Sequence, residues 1–210
     1  MPLEAVDQAH LCAAHGYIEL GLFVEANEEL EKLQPSYRHA PEVLDSRVVI
    51  YQGLEKWELM AIVARRLAEW NPREAGYFLH LAYASRRAVS LRAAHAILIR
   101  AAALHPGEGL IQFNLGCYEW QLGNLVQAKA YLKRATKIDA KFKQMALDDF
   151  DLKPLWASLA IEHTKAKASS RPLLGRKRRL ITRGPLRRMW GRDPSILRRF
   201  SRRRQDHCRR

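Results

Sequence analysis

Small and apolar side chains return in this sequence every 34 residues, and no other feature narrows the fold as far. A step of 34 links Ala128 to Ala94, Leu132 to Leu98, Ala135 to Ala101, Gly116 to Ala82 and Pro106 to Pro72. A step of 102 links Gly123 to Gly21, Ala128 to Ala26 and Leu132 to Leu30. These steps mark out four units: 7–40, 41–74, 75–108 and 109–142. Inside them the apolar residues keep helical spacing, as in Leu91, Ala94, Leu98 and Ala101, and strand-like alternation is absent. The fold class expected is therefore all-α, with two antiparallel helices per unit and units stacked on one another.

Each recurring residue type has a physical task in such a stack. A small residue on the first helix (Ala14, Ala82, Gly116) lets the second helix come close. Ala26, Ala94 and Ala128 do the same from the other side, and Leu30, Leu98 and Leu132 fill the space left. Proline cannot continue a helix, so Pro72 and Pro106 break the chain between units. The unit 41–74 fits least well. It keeps Tyr51 and Pro72 but shows an apparent one-residue slip, which puts Ala61 and Ala68 in the small-residue places.

The formal charge of +14 is unevenly spread. Residues 1–168 contain 20 Lys and Arg against 20 Asp and Glu, whereas residues 169–210 contain 16 basic residues against Asp193 and Asp206 alone. The 1–168 part is neutral, so basicity gives it no claim on nucleic acid. The tail is Arg-rich, with Arg176-Lys-Arg-Arg179 and Arg202-Arg-Arg204, and like-charged runs repel one another, so disorder is expected over 169–210. Two readings stay open for it: an electrostatic arm for RNA, DNA or anionic lipid, or an extension from an altered reading frame.

Catalytic and metal patterns are missing. Cys12, Cys117 and Cys208 stand far apart and suggest reduced thiols, with neither a zinc site nor a disulfide framework. The histidines make no HExxH, and neither a nucleophile elbow nor a phosphate-binding glycine loop occurs. Asp148, Asp149 and Asp151 read as a helix-start cluster that complements the helix dipole. The expectation is a protein with no enzymatic activity, no cofactor and no metal. No stretch of 18 apolar residues suggests a membrane span, and Met1–His10 does not resemble a secretory signal.

The recurring residues resemble the tetratricopeptide-repeat (TPR) family. Gly109–Phe142 carries Leu115, Gly116, Gly123, Ala128, Leu132 and Ala135 in the family's order, with Ala140 in place of the proline and Glu119 in place of an aromatic. Asp7–Ala40 carries Tyr17, Gly21, Ala26 and Leu30. Ala75–Glu108 carries Leu81, Ala82, Ala94, Leu98, Ala101 and Pro106. The segment Met145–Trp156, with the residues up to 168, resembles the ending of bacterial TPR proteins of unassigned activity. There Asp151 and Pro154 suit a helix start, and Trp156, Leu159, Ala160 and His163 share one face.

The resemblance implies a right-handed solenoid over 1–168, comprising about four helix pairs and a cap at 143–168 whose helix covers 153–168. It implies a cytoplasmic bacterial scaffold that holds a peptide or partner protein in a groove lined by the first helix of each pair. By repeat position the groove presents His15, Ile18, Asp45, Val49 and Gln52. Its expected binding cluster is Leu79, Tyr83, Arg86, Phe113, Cys117 and Trp120, since aromatics and Arg anchor interfaces. The competing reading is that several of these pack against the neighbouring unit. Chaperone-binding members clamp a carboxylate with Lys and Asn. Here His15, Val49, Tyr83 and Cys117 hold those places, so that mode is not expected.

Overall fold

The structure, a computed structural model, describes residues 4–149 together with 152, 153 and 155. Apart from Lys153 and Leu155, both helical, the expected capping helix 153–168 lies outside the described residues, as does the tail 169–210 with its expected nucleic-acid arm.

Among the described residues there are nine helices and no strand: α1 (Ala5–Glu19), α2 (Phe23–Glu31), α3 (Pro41–Gly53), α4 (Trp57–Trp70), α5 (Ala75–Ala88), α6 (Leu91–Leu104), α7 (Gly109–Gln121), α8 (Leu125–Ile138) and α9 (Lys141–Asp148). The sequence period becomes a geometric one. First helices start at 41, 75 and 109, and second helices at 23, 57, 91 and 125, all 34 apart. The short α9 falls where the sequence pattern places no separate helix.

Local chemistry explains the boundaries. Pro41 opens α3 at a position where a helix needs no N–H. Pro72 and Pro106 follow α4 and α6, and the residues before them, Asn71 (φ −133, ψ 83) and His105 (φ −128, ψ 63), are pushed out of the helical region. Asp139 (φ −150, ψ 123) breaks α8 in the same way without a proline. Its Oδ1 accepts the Lys141 N–H at 2.9 Å, a side-chain turn that does the proline's work.

The turns between paired helices need a left-handed residue at one recurring place. Gly21 (φ 75) and Gly123 (φ 87) supply it, and Glu55 (φ 55) supplies it with a side chain. The equivalent Val89 has φ −121. There the turn runs into Ser90, whose hydroxyl caps α6 by accepting the Ala93 N–H at 3.1 Å.

The chain divides into two compact units, the first running to Ile111 and the second beginning at Gln112. In the first, Leu11, Ala14, Ala26, Leu30, Leu33, Val43 and Ile50 bring α1, α2 and α3 into one core. A second core joins α3, α4 and α5 through Leu44, Val48, Met60, Ala64, Leu67, Tyr77 and Leu81. Burying each large aliphatic side chain contributes about 1.5–3 kcal/mol. In the second unit Gly116 admits Leu132 of α8, and Ala128, Ala135, Phe142, Leu152 and Leu155 are buried.

The slip expected in 41–74 does not occur. α4 starts in register with α2, α6 and α8. What changes is side-chain volume. The places filled by Ala, Leu and Ala in α6 and α8, and by Ala26, Leu30 and Leu33 in the first unit, hold Met60, Ala64 and Leu67, all fully buried. A large–small–large order replaces the small–large–small of α6 and α8, a swap that keeps the total volume close. Ala61 is only half-buried.

Polar ties reinforce these contacts. Arg47 of α3, 8% exposed, donates to Glu31 Oε1 at 2.8 Å, Tyr51 Oη at 3.1 Å and Asn27 Oδ1 at 3.2 Å. Burial alone disfavours its charge, but Glu31 and Tyr51 outweigh that and hold the guanidinium firmly protonated. Cys117 is buried and in no disulfide.

Candidate partner-binding face

α5 turns Tyr77, Leu81 and Ala84 into the core beside α4. This leaves the positions of Leu79, Tyr83 and Arg86 on another side of the helix. Tyr83 is half-buried, and its ring meets Trp57 of α4 edge-on, with centroids 5.5 Å apart at 90°. The Arg87 guanidinium lies over the same indole, 4.8 Å from its centroid. Arg86 is half-buried beside them. Burial pushes the Tyr83 phenol above its ordinary 10.0, against the pull of Arg87 and Arg86, and with a small push from Glu55. Tyr83 is therefore a neutral phenol in an aromatic pair, within the field of two arginines.

Leu79 is buried, at 4% exposure. His15 is also buried and ties α1 to α3. Ser46 Oγ gives its proton to Glu42 O at 2.9 Å, so the His15 Nε2–H must donate to Ser46 Oγ, also at 2.9 Å. Val49 is buried, whereas Ile18, Asp45 and Gln52 are half-buried.

In the second unit Phe113 is buried and stacks on Phe142 of α9, with centroids 5.7 Å apart and planes at 28°. Cys117 is fully buried, its Sγ 4.0 Å from Asp149 Oδ2. Trp120 stays half-exposed. Of the six residues expected to bind, Tyr83, Arg86 and Trp120 keep accessible surface, while Leu79, Phe113 and Cys117 are taken up in packing. Among the described residues, no three His, Cys, Asp or Glu side chains come together as a metal site.

Trp57 and Arg87 were not legible as part of this face. Trp57 shares its repeat position with Phe23, Leu91 and Leu125, so it reads as one more core residue. A signal did exist. Phe23 lies so tightly against Gly53 that a side chain there would collide with its ring. One repeat on, Trp57 sits under Arg87. Arg in the place of Gly opens that contact to solvent.

Solved structures with paired helices of this kind supply the comparison. TTC0263, a thermophilic TPR protein in Thermus thermophilus, superposes with a TM-score of 0.55 at 17% identity, over 93% of this chain and 97% of that one. The chain has a tetratricopeptide-repeat fold. MamA 41-end from Desulfovibrio magneticus RS-1 is similar to this TPR chain at a TM-score of 0.60 and 15% identity, over 80% of this chain and 98% of that one. A chain of the APC/C hetero-tetramer Cut9-Hcn1 matches at a TM-score of 0.53 and 16% identity, over 70% of this chain and 28% of its own length. No family model and no curated protein matches the sequence. No helix among the described residues is long and apolar enough to cross a membrane.

Proposed function

We propose that this protein is a scaffold that binds a peptide or partner protein along the first helices of its TPR pairs, within a solenoid covering 1–168. The observation that carries this reading is the patch on α5, where Tyr83 and Arg86 stay accessible beside Trp57 and Arg87. Aromatic and Arg side chains of this kind supply most of the energy in interfaces that have been scanned. A chain of similar fold stands in the hetero-tetramer Cut9-Hcn1, which supports a role in holding other proteins. On this reading the protein works without catalysis, as a bacterial cytoplasmic scaffold.

The test is capture of partners from native extract by the full-length protein and by a Tyr83→Ala/Trp120→Ala variant. Partners should be lost from the variant while its helical circular dichroism is kept. Undiminished capture overturns the assignment, and loss of helicity would place both residues in the core instead.

A further inference from the structure

The outward side of α2 carries a second surface, separate from the α5 patch. Ala26 and Leu30 point into the core. At about 100° per residue, Val24 and Glu28 stand opposite them, with Glu25 alongside. Val24 is 54% exposed, and the turn before it adds Leu20 at 74% and Leu22 at 41%. Glu19, Glu25 and Glu28 are exposed, and among the described residues none makes a hydrogen bond or ion pair. Residues 1–31 contain no Lys or Arg at all. The helix dipole accounts for Glu25 in the first turn. It does not account for Glu28, which stands one turn on, repels Glu25 and, among the described residues, has only Lys32, at the end of the helix and already paired with Glu29, to offset it.

The opposite pattern stands at the end of the same chain. Residues 194–210 carry Ile196, Leu197 and Phe200 among seven arginines, with Asp206 the one acidic residue. We propose that the outer face of α2 and its leading turn dock this C-terminal segment. Its apolar side chains cover Leu20, Leu22 and Val24, and its arginines pair with Glu19, Glu25 and Glu28. Reach does not restrict the contact, because the chain between Leu155 and Pro194 spans up to about 130 Å when extended. A tethered segment also meets the face at an effective concentration near the millimolar range, so weak exposed ion pairs suffice.

Trypsin cuts after arginine and so reads the docking directly. The full-length protein is digested at low ionic strength, and release of peptides by cleavage within 194–210 is compared with that from a Glu19→Gln/Glu25→Gln/Glu28→Gln variant. Cleavage of the unaltered protein should be about tenfold slower, the effect of removing three exposed ion pairs. High salt should erase the difference. Equal rates at low salt overturn the proposal. So does protection that grows with protein concentration, which assigns the segment to a second copy. Should the triple variant lose helicity, Val24→Ser provides the same comparison through the apolar half.

Discussion

Leu132 of α8 lies so close to Gly116 of α7 that a Cβ on residue 116 would stand 2.7 Å from Leu132 Cγ and 2.8 Å from its Cδ2. The backbone oxygen of Ala128 is 3.3 Å from the same point. The glycine in this repeat is thus set by the neighbouring helix, not by any turn.

Gly116→Ala should therefore destabilise the protein, although alanine is the better helix former. Overpacking costs about 1–3 kcal/mol, and helix propensity returns up to about 1 kcal/mol. The expected net loss is about 1 kcal/mol, read as a lower urea midpoint at unchanged slope. In a Leu132→Ala background the collision is gone and the same change should stabilise. A sign that stays the same in both backgrounds would show that Leu132 is not the obstacle.

Gly123 tests backbone strain without any collision. No atom lies within 4 Å of a Cβ built there, yet φ is +87. Gly123→Ala should cost about 1 kcal/mol through the left-handed backbone alone. Glu55 carries that strain already at φ 55. Glu55→Gly should raise stability by about 0.5 kcal/mol once glycine's unfolded-state entropy is counted, read as a higher thermal midpoint. A fall in the midpoint would mean that the Glu55 side chain does more for the fold than its backbone costs.

The tie between Arg47 and Glu31 is lopsided. The Arg47 side chain is 10% exposed and that of Glu31 48%. Removing Glu31 strands a largely buried cation, whereas removing Arg47 leaves a solvated carboxylate. Glu31→Ala should lower stability by about 1–2 kcal/mol, and Arg47→Met, which keeps the volume, by about 1 kcal/mol or less. The reverse order in chemical denaturation would make Arg47 chiefly a packing residue.

Glu29 gives a pH dependence of known sign. Hydrogen bonds from Lys32 (2.6 Å) and then His10 (2.7 Å) hold its carboxyl below the ordinary 4.5. The folded state thus favours the charged form. The contribution is full above pH 4.5 and fades as pH falls through the depressed value. The melting temperature of Glu29→Gln should lie below that of the unaltered protein at pH 6. The two should converge in acid, and a constant gap down to pH 3 would remove Glu29 as the source.

Much of the fold was legible because its determinants are local and repeated. Pro72 and Pro106 end helices through their own covalent geometry. Ala26, Ala94 and Ala128 recur because each sits in the same crossing of two helices. The unit 41–74 misled for a physical reason. Met60, Ala64 and Leu67 fill the same crossing with the volumes interchanged, and a pattern of small residues then looks shifted. Asp139 hid a turn in the same way, making with a carboxylate what Pro72 makes with a ring. For the proposed binding face, repeat position put forward Tyr83 and Arg86, which keep accessible surface. It could not tell that Cys117, at the position of Tyr83, is buried, nor that Leu79 and Phe113, which share another position, are buried too.

By itself the sequence determined that paired helices recur every 34 residues and where the chain breaks between them, since backbone restriction and helical spacing act over a few residues. Only the tertiary structure decided which side chains at equivalent positions face solvent, that Trp57 and Arg87 join Tyr83, and that Leu132 requires a glycine opposite. Exposure and close approach depend on surfaces contributed by other helices, and those surfaces exist only once the chain has folded.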